Sequence, residues 1–304
     1  MTAAQPGRRR LDLTDPGTVR AVARRAGLSL KHRLGQNFLV DREVLERIVD
    51  ALSLSPEDEV FEVGPGIGTL TVELASRAGR VLAAELDEAC LRATAITLRD
   101  HPNAEVIHRD ALRVDPVEAG LHDGYLAAGN IPYQITAPLI SHLLELPVPP
   151  RRAVLLVQRE VAARLAAPPG DWSLVTVAVR SMATVERLGD VPPSAFEPPP
   201  AVHSSILRLT PAPQLDAATR AAVLDLARGA FQMRRKTLRH GLGHALAGAG
   251  GEDAARAVLA AAGIDPGRRP ETLDLDEWRQ LAGAAARTAP GPVAPPPPRR
   301  RPRP

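Results

Sequence analysis

Asn130, Pro132 and Tyr133 stand together in the stretch G-N-I-P-Y-Q, Gly129 to Gln134. Asn130 brings a side-chain acceptor, Pro132 stiffens the turn and removes one backbone donor, and Tyr133 brings a flat face. Such a set suits a planar amine, met at its edge by acceptors and across its plane by a ring. A plain Asn-x-Pro turn with the tyrosine folded over a sheet edge uses the same residues, so the stretch gains its meaning from the chain upstream.

Upstream, G-P-G-I-G at Gly64 to Gly68 joins the apolar residues Val60, Phe61 and Val63 to a helix-like run, Thr69 to Leu74. The glycines permit a tight path and close backbone approach, and the start of the helix supplies N–H donors. Glu85 follows Gly64 by 21 positions, at the end of the next apolar run, Arg80 to Ala84. A carboxylate placed there accepts from both hydroxyls of a ribose. The spacing is G-x-G-x-G rather than G-x-G-x-x-G, and Pro65 removes a donor from the turn. A pyrophosphate cradle is thereby weakened, and an adenosyl ligand with a small charged amino-acid part fits better. Asp110 closes a third run, Ala104 to His108, where its carboxylate can accept from an adenine amino group; an isolated Asp in that position is more often a helix cap.

These residues need strands that end side by side, and the chain supplies them. Short apolar runs alternate with helical spacing: helices at Val44–Leu52, Thr69–Leu74, Pro138–Leu146 and Arg159–Leu165, strands at Val60–Val63, Arg80–Ala84, Ala104–His108, Tyr125–Ala128 and Ala153–Gln158. Alternation of this kind specifies a parallel α/β sheet with ligands at the carboxyl ends of its strands. The pattern then predicts strands at Trp172–Val179, Met182–Arg187 and Ser204–Leu209. Before the last of these comes the proline-heavy loop Val191–Pro200, which carries Phe196, one of four phenylalanines. Phe196 either caps the sheet or offers a movable stacking face opposite Tyr133 for an extruded base. Near the start, Gln36 and Asn37 precede Phe38 and Leu39, so polar groups and an apolar lid can face one ligand.

Four segments follow from these shifts: a basic N-terminal extension with a short helix (1–27), the α/β domain (28–210), a helical domain (211–286) and a disordered Pro/Arg-rich tail (287–304). Length allows one sizeable core and a second small domain within 304 residues. Aromatics are only 3% against 44% hydrophobic residues, so Ala, Leu and Val must fill the interior. Net charge is +3, yet cations cluster, for instance at Arg8–Arg10 and Arg234–Lys236. The segment F-Q-M-R-R-K-T-L-R-H, with Arg234, Arg235 and Lys236, suits backbone phosphates. Cys90 is the single cysteine, which excludes an internal disulfide or a cysteine-rich metal site, and the eight histidines show no ligand spacing, so no metal is expected. No apolar run approaches the roughly 20 residues of a membrane span, and the N-terminus lacks a signal peptide's apolar region; cytoplasm is the expected location.

Taken together, the motifs resemble those of the small-subunit ribosomal RNA adenine N6,N6-dimethyltransferase family. The resemblance is carried by L-G-Q-N-F-L-V-D (Leu34–Asp41), E-V-G-P-G-I-G-T-L-T (Glu62–Thr71), E-L-D (Glu85–Asp87) and D-A-L (Asp110–Leu112). It continues through N-I-P-Y (Asn130–Tyr133), Q-R-E-V-A-A-R-L (Gln158–Leu165), P-P-S-A-F-E-P-P-P (Pro192–Pro200) and R-R-K-T-L (Arg234–Leu238). It implies a Rossmann-like, seven-stranded methyltransferase domain followed by a small all-helical one. It further implies S-adenosylmethionine contacts from Asn37, Leu39, Gly64, Glu85, Asp110 and Asn130, and an adenine site of Asn130, Pro132 and Tyr133 with Phe196 opposite. The implied reaction is dimethylation of two adjacent adenines near the 3′ end of small-subunit RNA, within an immature small subunit and by a monomer. Two departures bear on loop shape and product specificity: D-W-S-L (Asp171–Leu174) replaces a Tyr-Gly element, and Gln134 stands where Asn is frequent.

Transfer needs no covalent enzyme intermediate. If Asn130 Oδ1 and the carbonyl of Ile131 or Pro132 accept the two amine hydrogens, the nitrogen can pyramidalise toward the methyl donor. Two other readings share parts of the pattern. The large-subunit RNA adenine methyltransferases of macrolide resistance have the cofactor turn and an N-x-P-aromatic element, and a non-catalytic ribosome assembly factor would keep the fold alone.

Overall fold

The computed structural model describes residues 11–29, 37–233 and 235–288. Arg234, Gln36 and the basic tail lie outside the described residues. The chain divides into two compact units, one of residues 1–162 with 186–210 and one of residues 163–185 with 211–304.

In the first unit, Asp15 caps helix α1 (Pro16–Ala26) by accepting from the Thr18 N–H, Pro16 opens it, and Gly27 ends it at φ 69°. Its apolar face, Val19, Val22, Ala23 and Ala26, is buried with Phe38, Ile67, Cys90 and Ala93. Strand β1 (Phe38–Leu39) follows, and then α2 (Arg42–Leu52), capped by Asp41. The α/β alternation runs β2 (Glu59–Val63), α3 (Thr69–Ala75), β3 (Arg80–Glu85), α4 (Glu88–Thr97), β4 (Ala104–His108), β5 (Leu126–Asn130), α5 (Thr136–Glu145) and β6 (Arg152–Gln158). Helix α6 (Arg159–Ala166) continues directly from β6.

The expected strand over 172–179 is not formed. Residues Leu174–Arg180 are helix α7 instead. Their Val-rich composition reads as strand, but Ser173 and Thr176 close a reciprocal cap at the helix start and Thr176, Val177 and Val179 are buried on it. Local capping and packing of the buried face outweigh a β propensity that is weak by comparison. Strands β7 (Ala183–Val191), β8 (Phe196–Glu197) and β9 (Ser204–Pro211) come next.

Seven strands form one sheet in the order β4-β3-β2-β5-β6-β9-β7. Pairs from β4 to β6 are parallel, and β9 lies antiparallel to β6. Chain order reverses between β2 and β5, so the crevice at their carboxyl ends is the topological switch point, where open sheets hold ligands. Gly64 leaves β2 there, and Asn130 ends β5. Phe61, Leu82, Leu126, Val154 and Leu156 are buried in the sheet, each worth about 1.5–3 kcal/mol by removal from water. That packing holds the strand ends in register.

The second unit contains α7 and the helices α8 (Ala217–Gln232), α9 (Leu238–Ala245), α10 (Gly251–Ala262) and α11 (Leu275–Thr288). Trp172, Val177, Val223, Leu226, Leu242, Leu259 and Trp278 are buried together in its core. Phe231 and Trp278 lie with ring centroids 6.0 Å apart, and Trp172 Nε1 donates to Ala167 O at 3.0 Å. The D-W-S-L departure therefore supplies a core tryptophan and a helix cap. Arg235 and Lys236 are exposed in the turn between α8 and α9.

Candidate active site

The turn after β2 carries three glycines at positive φ: Gly64 at 66°, Gly66 at 59° and Gly68 at 88°. A Cβ on Gly66 would sit 2.8 Å from Phe38 Cε1, whereas one on Gly64 would meet nothing within 4 Å. Gly64 thus leaves backbone open to a cavity of about 290 Å³. Asn37, Leu39, Gly64, Glu85, Asn130, Pro132, Tyr133 and Phe196 all line this cavity, so eight residues from five separate stretches of sequence meet in one place.

Glu85, at the end of β3, is held by three backbone donors. Its Oε2 accepts from Gly66 N at 3.1 Å, and Oε1 accepts from Leu86 N at 2.7 Å and Asp87 N at 2.9 Å. Burial raises its pKa, and these N–H groups oppose that rise. The carboxylate is fixed rather than swinging, and it keeps lone pairs for a diol.

Asn130 is oriented from the other end of the chain. Its Nδ2 donates to Asn37 O at 2.7 Å. Because a backbone carbonyl can only accept, the atom facing it must be the amide nitrogen, and Oδ1 is the side left to receive a hydrogen. The next two residues differ in what they offer. Pro132 O already accepts from Ile135 N at 3.1 Å, while Ile131 donates its N–H to Leu156 O at 3.0 Å. No hydrogen bond to Ile131 O occurs among the described residues, so of the two carbonyls Ile131 O is the more available acceptor. The Tyr133 hydroxyl lies 3.1 Å from Ser204 Oγ, which ties the ring to the start of β9.

Phe196 is a wall, not a swinging plate. It is 3% exposed, and its backbone pairs with Leu39 in the two-stranded β1–β8 ribbon, Leu39↔Phe196 and Phe38↔Glu197. Asp110 does not line the cavity. Its Oδ1 accepts from Leu112 N at 3.0 Å, capping the short turn Ala111–Arg113, and its Oδ2 lies 3.9 Å from Arg113 Nε. Cys90 is buried with its thiol pushed up by burial and by the nearby Glu85 and Asp87 carboxylates, so it makes a poor nucleophile.

One cavity residue, Glu62, opens the stretch Glu62–Thr71 but receives no role of its own from the sequence. Glu62 sits in β2 between Ala83 and Ala128 of the flanking strands, is 1% exposed and leaves Oε2 without a partner. Burial pushes its pKa to about 8, with the Thr71 hydroxyl opposing and Glu85 adding to the rise. The clue that could have found it is a carboxylate inside an otherwise apolar central strand, two positions before a glycine turn. Such a group costs stability unless something cationic meets it. An ammonium group beside Glu62, a ribose on Glu85 and apolar walls of Phe38, Leu39 and Ile131 fit an adenosyl amino acid. Among the described residues no group of three or more His, Cys, Asp or Glu could hold a metal, and no helix is long and apolar enough to cross a membrane.

The sequence model of the ribosomal RNA adenine dimethylase family matches residues 27–281. The chain belongs to that family. The ribosomal RNA small subunit methyltransferase A of Geobacillus kaustophilus is 39% identical over 285 residues, covering 90% of this chain and 97% of the relative. Its counterpart in Pelotomaculum thermopropionicum is 41% identical, covering 89% and 96%. Among solved structures, a dimethyladenosine transferase from Plasmodium falciparum superposes with TM-score 0.71 at 25% identity, covering 83% of this chain and 98% of that one. The 23S rRNA methyltransferase ErmE superposes with TM-score 0.67 at 30% identity, covering 82% and 99%. As a member of this dimethylase family the chain is an enzyme of the methyltransferase class, built on a Rossmann-like sheet with a helical region after it.

Proposed function

We propose that this dimethylase transfers methyl groups from S-adenosylmethionine to N6 of two adjacent adenines near the 3′ end of small-subunit ribosomal RNA, as a monomer acting on an immature subunit in the cytoplasm. The observation that carries the chemistry is the Asn37–Asn130 hydrogen bond, which leaves Asn130 Oδ1 free to accept beside the Ile131 carbonyl, itself without a hydrogen bond among the described residues. S-adenosylmethionine supplies an electrophilic methyl on a sulfonium. The protein's part is placement. Asn130 Oδ1 and Ile131 O accept the two amine hydrogens, drawing the nitrogen lone pair out of conjugation and bearing the positive charge that develops on it. Tyr133 holds the ring plane, and Phe196 closes the far wall. After the first transfer the cationic nitrogen releases one proton to solvent, and the second methylation uses the same acceptors with one hydrogen remaining. Asp110, which caps its own turn through Oδ1, keeps a part in this reading through the lone pairs that the cap leaves.

Support for the small-subunit substrate comes from the Geobacillus and Pelotomaculum relatives at 39% and 41% identity. The resemblance to ErmE at 30% makes large-subunit RNA the competing substrate. Purified enzyme, labelled S-adenosylmethionine and either immature small subunits or naked large-subunit RNA separate the two. Mass spectrometry of the digested RNA should give two neighbouring dimethyladenines from the small subunit alone. Label on large-subunit RNA, with none on the small subunit, would reverse the assignment.

A further inference from the structure

A second groove, of about 300 Å³, opens where β6 passes into α6, lined by Gln158, Arg159, Glu160, Pro193, Val202 and His203 among others. It is joined to the active site by the sheet itself. Asn130 pairs with Leu156 of β6, and Gln158 lies two residues further on, about 7 Å along the strand. Gln158 faces Ser204 across the ladder, and Ser204 is the residue whose hydroxyl meets Tyr133. His203, the next residue along, accepts the Arg159 N–H on its carbonyl at 3.0 Å. The groove therefore begins beside the Tyr133 hydroxyl, one strand away from Asn130, and its Pro193 belongs to the turn that leads into Phe196.

Its side chains differ from those of their surroundings. Arg187 and Arg208, on the adjoining strands, are each neutralised by a carboxylate, Asp190 at 2.5 Å and Glu186 at 2.7 Å. Arg159 is exposed and forms no ion pair among the described residues, although the Asp190 carboxylate is near enough to feel its charge; Arg159 Nη1 lies 3.4 Å from His203 Nδ1. Val202, 42% exposed, is one of the few large apolar side chains left on the surface, and it borders the same groove as Pro193. Glu160 contributes a carboxylate at the rim. One guanidinium outside any ion pair among the described residues, an apolar ledge, an amide and a carboxylate make a poor track for a continuous polyanion. They suit a single nucleotide: phosphate on Arg159, base or ribose against Val202 and Pro193, polar edge toward Gln158.

Building on the adenine-methylation reading, we propose that this groove seats the nucleotide adjoining the flipped adenine, and that Arg159 is a positioning residue holding its phosphate. Extruding one base displaces its neighbours on the same strand, and a seat one strand from Asn130 fixes the backbone from which the target swings.

The test compares wild type, Arg159→Ala and Arg159→Lys on immature small subunits, with binding of a single-stranded RNA containing adjacent adenines measured over a range of salt. Arg159→Ala should raise KM for RNA about three- to tenfold and lower the slope of log affinity against log salt by about one, leaving KM for S-adenosylmethionine unchanged. Arg159→Lys, which keeps the charge, should recover most of both. An unchanged RNA KM and salt slope in Arg159→Ala would overturn the proposal. So would a lysine variant as impaired as the alanine one with a lowered melting temperature, since Arg159 would then serve the fold. If wild type leaves small-subunit RNA unmethylated, the functional reading fails, and the oligonucleotide salt slope still decides whether the groove holds a phosphate.

Discussion

Replacing Glu62 by Gln should make the ligand-free protein more stable at alkaline pH than at acidic pH, relative to wild type. The carboxyl group has an ordinary pKa of 4.5, raised to about 8 in the folded chain by burial. The native state thus holds its proton at pH values where the unfolded chain has released it. By linkage, this group's contribution to stability declines as pH climbs from about 4.5 to about 8 and is level above that. Each pH unit across that interval is worth about 1.36 kcal/mol, which sets a ceiling of about 5 kcal/mol. Relaxation and water entry around a buried charge reduce it, and about 2–3 kcal/mol is the expected loss. For a chain of this size, at about 0.6 kcal/mol per degree, that corresponds to roughly 3–5 °C in melting temperature. Glutamine keeps the shape and cannot ionise. The melting temperature of Glu62→Gln minus that of wild type should therefore grow by about two-thirds of this amount between pH 5.5 and pH 8.5, with the other titrating groups largely cancelling in the difference. Two curves that stay parallel across that range would refute the account of Glu62 as a proton-holding buried acid.

The remaining predictions concern the reacting groups. Asn130→Ala should bind S-adenosylmethionine within a few-fold of wild type yet transfer methyl about 10²–10³ times more slowly in a single turnover, the usual loss for one preorganised polar group; an unchanged single-turnover rate would remove Asn130 from the chemistry. Tyr133→Ala should lower kcat/KM for RNA about 5- to 150-fold, the equivalent of 1–3 kcal/mol of stacking, whereas Tyr133→Phe, which loses only the hydroxyl near Ser204, should lose far less. Gly64→Ala places a side chain at φ 66° facing the cavity; a strain of about 1–2 kcal/mol should show in thermal melts, together with a reduced affinity for S-adenosylmethionine by calorimetry.

The order of strands was legible because each short apolar run ends at a distinctive polar residue or glycine, and those ends coincide in a parallel sheet. Gly64, Glu85 and Asn130 needed no knowledge of packing for that reason. Residues 172–179 read as strand because Val-rich segments favour strands on average, while Ser173 and Thr176 cap a helix by a local contact that a strand template does not register. Phe196 and Glu62 show the two ways burial stays hidden. An aromatic in a proline loop gives no sign that its backbone will pair with Leu39 from the opposite end of the unit. A glutamate in a strand gives no sign that both faces of its strand will be covered. Asp110 has its position in chain order, but its Oδ1 caps its own turn, and order alone does not separate a cap from a ligand contact.

The two-stranded β1–β8 ribbon also sets a timetable. Leu39 and Phe196 face one another although most of the first unit is synthesised between them. Strands β2, β3 and β4 can pair in turn as the chain grows and β5 then returns to the free edge of β2, but the cavity acquires its far wall only when residues 196 and 197 exist. A nascent or truncated chain ending near residue 190 would carry the glycine turn and Glu85 with one side of the pocket open. The cavity is thus lined early and closed late, and a chain that stops just before the proline loop lacks the wall that Phe196 supplies.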